Sequence, residues 1–349
     1  MRFIALAFLL IFPTVALGGP KIVVDNPVYD FGEIKEGVIV EHAFVIKNEG
    51  DAPLVFTRKP HTSCGCTVAA LSKEVLQPGE SLKLVATFDS SGFGGRHVRK
   101  EIRVYTNDPQ NPVTVLAIVG YVRPAEPHER SAWYLKYNLY LLVDLRSPEE
   151  FANAHLLGAI NIPSSELVEE IKKFPNQVLI YLYDDSGGTS SQAASMLVQM
   201  GYRFARALNG GLVAWQRNYG NLFIEFGEEG PFTFQGEPRG GSYSIDPQQL
   251  LSRYVLIIDV RPPDAFVAEH FVGAINLDPG EIPEWIVDHL PRSFPQGVRL
   301  TIWCVDDDGS RSCPVAKYIR SQGYEAACIL GGLAQWKNRY GPFLLISAE

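Results

Sequence analysis

The chain has 349 residues, 46% hydrophobic and 20% charged, which suits a globular protein of about two to four domains and excludes wholesale disorder. A formal net charge of -8, with no run rich in lysine and arginine, argues against nucleic acid as a partner, because neutralising phosphates requires clustered cations. Five cysteines are too few for a disulfide scaffold, and their odd number leaves at least one unpaired unless a partner chain supplies the other.

Residues 1–18, MRFIALAFLLIFPTVALG, read as a signal peptide: Arg2 is the positive end, Phe3 to Phe12 the apolar stretch, and Ala16-x-Gly18 the small-residue cleavage site. No cysteine follows the apolar run, so a lipoprotein anchor is not indicated. No later segment has the roughly 18 consecutive apolar residues of a membrane helix, so an exported chain, periplasmic or secreted and without a membrane span, is expected.

From residue 21 to 122 the pattern is alternation, as in His42, Phe44, Ile46 and in Leu82, Leu84, Ala86, Phe88. Turn-rich clusters separate the runs, NEGD at 48–51, QPGE at 77–80, SSGFGG at 90–95 and NDPQNP at 107–112, which predicts an all-β sandwich. Within it, Cys64 and Cys66 on one strand would face the same side, with Gly65 between them. Such a pair suits a small, easily reduced disulfide, a soft-metal site for Cu(I) completed by His61, or a purely structural feature. Residues 123–130, RPAEPHER, have no apolar periodicity and read as a linker.

Beyond it the chain repeats itself. DLRSPEEFANAHLLGAIN (144–161) lines up with DVRPPDAFVAEHFVGAIN (259–276) at nine identical positions. Each copy continues with an apolar strand (178–183 and 300–305), an acidic glycine-containing loop, a helical stretch and a closing GGLVAW (210–215) or GGLAQW (331–336). Strands alternating with helices predict two α/β domains with parallel sheets, at 131–226 and 242–349, joined by the glycine- and proline-dense linker 227–241. Functional loops of such sheets lie at the carboxyl ends of strands.

Both copies resemble rhodanese domains, over Ser131 to Gly220 and Gly241 to Gly341, through the D-x-R-x-x-x-x-F-x-x-x-H-x-x-G-A-I-N block and the closing G-G-x-x-x-W. The resemblance implies a sulfurtransferase fold in which a cysteine after the strand carries sulfane sulfur as a persulfide, within a cradle of backbone N–H groups. It implies no cofactor. The first domain resembles bacterial exported domains of unknown function related to the sperm-protein and hydin immunoglobulin-like folds, through YDFG (29–32), TSCGCTV (62–68), QPGES (77–81) and TNDPQNP (106–112). No activity follows from that likeness.

Aligned on the family loop C-x-x-G-x-R-S, the first copy has Asp184 at the nucleophile position and Thr189 where an arginine is usual, so the site lacks its nucleophile and its loop lacks a cation. A carboxylate there is expected to fill the N–H cradle as a built-in anion. The second copy has Asp306 at that position but keeps Gly309, Arg311 and Ser312, which the resemblance implies would hold a donor anion. Cys304 lies two residues too early for a nucleophile and would serve only if the loop were two residues longer than usual; otherwise it stays in the strand, aligned with Leu182, and the adjacent aspartates oppose a thiolate. Cys313 in Ser312-Cys313-Pro314 reads as a helix start with Pro314 first, either an activated thiol or a capping position like Ser191. Cys328, in the apolar run AACIL, reads as a small buried hydrophobe. His155 and His270 read as turn-holding residues.

The expected function is binding of sulfur species or a protein partner, with little or no turnover. The rivals are a sulfurtransferase using Cys304 or Cys313 and a thiol–disulfide protein using Cys64 and Cys66.

Overall fold

The computed structural model describes residues 18–65 and 67–347. The expected signal peptide therefore lies, apart from Gly18, outside the described residues, as does Cys66. Two compact units divide between Pro124 and Ala125.

The first unit is all-β. One four-stranded sheet runs Ile22–Val24, Ile39–Asn48, Ser81–Asp89, Thr67–Ala70, and a second runs Val28–Lys35, Val113–Arg123, Arg96–Tyr105, His61–Thr62. Alternation decides which side chains are buried: Leu82, Leu84, Ala86 and Phe88 point inward, and Phe44, Ile46, Ile102, Leu116 and Ile118 complete one core. Two buried polar residues tie down the predicted turns. Asn48 donates to the carbonyls of Ala52 and Leu76, and Asp108 accepts from the N–H groups of Ile22, Gln110 and Asn111. Cys64 departs from the expected strand: Thr67 N–H donates to the Cys64 carbonyl at 3.3 Å, closing a turn before the strand Thr67–Ala70 begins.

The second unit holds both copies, each a five-stranded all-parallel sheet with helices on its faces. The first sheet runs Ile160–Asn161, Tyr140–Asp144, Leu179–Tyr183, Ala205–Leu208, Ser244–Ile245. The second runs Glu129–Arg130, Glu325–Ile329, Leu300–Val305, Tyr254–Asp259, Ile275–Asn276. The outermost strands are exchanged: Glu129–Arg130, just before the first copy, completes the sheet of the second, and Ser244–Ile245, at the start of the second, completes the sheet of the first. Segment 123–130 is thus more than a connector, because the N–H groups of Cys328 and Leu330 donate to the carbonyls of His128 and Arg130 and give its last residues a place in a sheet.

The copies share their interior. Each of two buried apolar clusters draws residues from both, Tyr183, Trp215, Ile258 and Ile302 in one, Leu182, Leu197, Trp303 and Trp336 in the other. Polar contacts cross as well: the Tyr254 hydroxyl donates to the Leu157 carbonyl at 2.8 Å, and the Val255 N–H donates to the Tyr140 hydroxyl at 3.0 Å. No helix among the described residues is long and apolar enough to cross a membrane.

Candidate functional site

At the carboxyl end of the central strand in each copy, the chain turns through an aspartate into a helix. In the first, Asp184 accepts from the N–H groups of Gly187, Thr189 (2.7 Å) and Ser190 (3.4 Å) and from the Ser190 hydroxyl (3.3 Å). In the second, Asp306 accepts from Gly309 (2.6 Å), Arg311 (2.7 Å) and Ser312 (3.3 Å) and from the Ser312 hydroxyl (2.7 Å). Each carboxylate is buried and occupies the anion position of its own loop, satisfying N–H groups that a helix start leaves free. Gly187 and Gly309 make the turn possible, with φ of 89° and 90°.

The repeated D-x-R block supplies the base of each loop. Arg146 forks onto Asp144 and reaches Asp185 at 3.2 Å, and Arg261 forks onto Asp259 and reaches Asp307 at 3.2 Å. The first loop has no cation of its own, and Arg146 supplies one from outside it. The closing glycine pair completes the frame: Leu212 and Val213 donate to the carbonyls of Asp184 and Asp185, and Leu333 and Ala334 do the same at Asp306 and Asp307. His155 and His270 bond the carbonyls of Phe151 and Phe266 through Nδ1, each holding the turn of its block.

Cys304 keeps the strand position expected of it, whereas Cys313 and Cys328 are placed differently from the sequence expectation. Cys304 lies inside the strand Leu300–Val305 and pairs in register with Ile258, as Leu182 pairs with Val143. It is a free thiol but fully buried, and burial, with Asp306 adding to it, pushes its pKa far up. Cys313 is bonded to Cys328 in a disulfide, with Cα atoms 4.9 Å apart. Cys328 is thus a cross-link partner as well as a buried strand residue, and Cys313 carries no free thiol in this form. The helix also starts earlier than expected, at Ser312 and not at Pro314, because the Asp306 carboxylate caps it from the loop. Ser191, the counterpart of Cys313, donates to the Gly187 carbonyl from within the first turn.

Arg311 gives its N–H to Asp306 while its side chain is exposed. His61 is exposed, and Cys64 is disulfide-bonded in its turn. Among the described residues no group of three or more His, Cys, Asp and Glu is arranged to hold a metal ion.

Segment 227–241 lies on the first loop. Arg239 donates to the Ser186 carbonyl at 2.7 Å and accepts from Gly210 N–H at 2.8 Å, and Phe234 is buried with the Arg146 guanidinium 5.5 Å from its ring centre. A Cβ on Gly187 would meet the Arg239 carbonyl oxygen at 2.3 Å. Among the described residues Asp308, at the place of Ser186, accepts no such bond at its carbonyl. The signal for this cover was present in the sequence as Phe232 and Phe234, apolar residues in an otherwise polar linker.

A tandem of parallel sheets with an N–H cradle after the central strand defines the class. Residues 131–218 and 246–339, just over half of the chain, match the rhodanese-like domain family, and the chain belongs to that family. Residues 22–122 match the family described as Protein of unknown function (DUF1573). Among curated proteins, the chain is 35% identical over 78 residues to a sulfurtransferase of Allochromatium vinosum, covering 22% of this chain and 73% of that protein. It is 35% identical to the uncharacterized protein YqhL of Bacillus subtilis, covering 23% of this chain and 63% of that one. It is 31% identical to the human centrosomal protein of 41 kDa, of which the match spans only 27%, and an equal 27% of this chain. Among solved structures, a thiosulfate sulfurtransferase of Pseudomonas aeruginosa is similar at 21% identity and a TM-score of 0.24, covering 60% of this chain and 41% of that one.

Proposed function

We propose that the rhodanese-like pair is an exported binding module, recognising a protein partner or a sulfur species, and that it does not turn over thiosulfate. The observation that carries this is the Asp306 carboxylate, which takes the three backbone N–H groups and the serine hydroxyl of the more open loop. An incoming oxyanion would have to displace a covalently tethered one and would meet Asp307 and Asp308 beside it. Bonded cysteines at Cys64 and at Cys313–Cys328 support an oxidising compartment, in agreement with the signal peptide reading.

The test is thiosulfate-to-cyanide sulfur transfer by the full mature chain beside Asp306→Cys. Wild type is expected at the buffer blank, and Asp306→Cys at least about tenfold higher, since it restores a thiolate to a cradle that favours one. Turnover by wild type would overturn the proposal.

The disulfide favours one second reading. After reduction by a dithiol, Cys313 sits in the first turn of the helix, next to Gly309. Its thiolate would attack the outer sulfur of thiosulfate, breaking the S–S bond, releasing sulfite and leaving a persulfide; cyanide would then take that sulfur as thiocyanate and restore the thiolate. Activity that emerges only on reduction and vanishes in Cys313→Ser would establish it.

A further inference from the structure

At the end of the second sheet opposite the loops, a cavity of about 280 Å³ opens between the helix Ala132–Asn138 and the sheet face. Arg130, Arg253, Arg299 and Arg320 line it. Arg253 and Arg299 immediately precede the strands Tyr254–Asp259 and Leu300–Val305, so the fold delivers both to the same rim. Arg130 comes from the exchanged strand, and its guanidinium stands 6.0 Å from the Tyr134 ring centre.

None of these four guanidinium groups has a carboxylate within ion-pair distance among the described residues. Their hydrogen bonds are to backbone carbonyls, Arg130 to Glu129 and Arg320 to Ala326. Glu325 is the one acidic residue of the lining, so the cavity gathers a surplus of positive charge in a chain whose net charge is -8. The counterparts of Arg253, Arg299 and Arg320 in the first copy are Asn138, Gln177 and Val198, so the charge is not a by-product of the duplicated fold. The floor is Trp303, buried at 3% exposure. Four guanidinium groups without a carboxylate partner, gathered around one cavity, are a donor set for oxyanions.

We infer that this cavity binds a small organic or inorganic molecule carrying two or more phosphate-type oxyanion groups, a diphosphate being the simplest member. Its volume equals roughly nine waters at about 30 Å³ each, more than a lone tetrahedral oxyanion displaces. Forked guanidinium groups on several sides suit linked oxyanions better than one point charge. The apolar floor provides room for an organic portion.

The test is calorimetric titration of the full mature chain with pyrophosphate and, separately, orthophosphate, at fixed ionic strength. Three proteins are compared: wild type, Arg253→Ala/Arg299→Ala, and a charge-matched control, Arg203→Ala/Arg292→Ala, which alters exposed arginines elsewhere. Saturable binding of one pyrophosphate per chain is expected, tighter than orthophosphate, weakened at least about tenfold in the cavity variant and within about twofold of wild type in the control. Equal loss in both variants would reduce the effect to non-specific charge attraction and overturn the site, as would the absence of saturation up to about 10 mM. Thermal melting of each variant without ligand verifies folding, and a pyrophosphate-induced rise in melting temperature in wild type alone gives a second readout.

Discussion

The loops after Tyr183 and Val305 share one hydrogen-bond plan but not one environment. In the first, Asp185 keeps 44% of its side chain exposed, and the linker is hydrogen-bonded across Ser186. In the second, Asp307 is 74% exposed, Asp308 and Arg311 face solvent, and the stiffening comes from beneath, through Cys313–Cys328. Duplication gave both copies the cradle and the tethered carboxylate. One loop is closed by its own chain, and the other is open over a cross-link. The fold of such a loop does not depend on a bound substrate, because the chain itself supplies the anion that stabilises the N–H groups.

That comparison is most exposed to deletion of the carboxylates. Asp184→Ala is expected to destabilise the chain by about 4 kcal/mol and Asp306→Ala by about 2 kcal/mol, since the linker bonded across Ser186 keeps the first loop from rearranging around the lost acceptor. Chemical denaturation of the full chain measures both, and equal costs would show that the linker adds nothing. Removing the cross-link as Cys313→Ser/Cys328→Ser should cost about 3 kcal/mol, as expected for a separation of 15 residues, and should quicken protease cleavage at the second loop while sparing the first.

Reactivity gives the next contrast. Asp184→Cys should stay at the blank in the sulfur-transfer assay that Asp306→Cys passes by about tenfold, because the linker denies the donor access to the first loop. In native wild type, iodoacetamide at about pH 8 should label no residue of the second copy, since the Cys304 thiol is buried and held neutral; label there before denaturation would contradict its placement.

The smallest effect concerns protons. Burial holds the Asp185 carboxyl above its ordinary value of 3.8, against the pull of Arg146. The folded chain therefore binds this proton more tightly than the unfolded one, a contribution fully present below the ordinary value and lost as pH rises through the raised one. Asp185→Asn should accordingly gain on wild type by a few tenths of a kcal/mol, roughly 0.3, between about pH 3 and about pH 7, the partial exposure keeping the effect small. Urea denaturation at the two pH values checks the sign.

The features readable in the sequence were those encoded locally. Alternation marked the inward residues of Ser81–Asp89, and the repeated D-x-R and glycine pair marked the parallel sheets, because each signal sits within one element and its turn. The aspartates in the cradles were legible for the same reason, their partners lying within six residues. What stayed hidden depends on distant partners. Arg146 meets Asp185 across 39 positions, and Cys313 meets Cys328 only once helix Ser312–Ser321 packs on strand Glu325–Ile329. Arg253, Arg299 and Arg320 look like scattered surface charge until three strand and helix ends are brought to one rim.

The exchanged strands also set an order for synthesis. When the first copy has left the ribosome, its sheet still lacks Ser244–Ile245, and Glu129–Arg130 waits for a partner encoded about two hundred residues later. Neither half closes its hydrogen-bonded edge alone, so a nascent chain carries an open border that invites wrong pairing until its last strands arrive. Cutting the gene at the linker would make that transient hazard permanent, and the two copies should therefore unfold in a single transition.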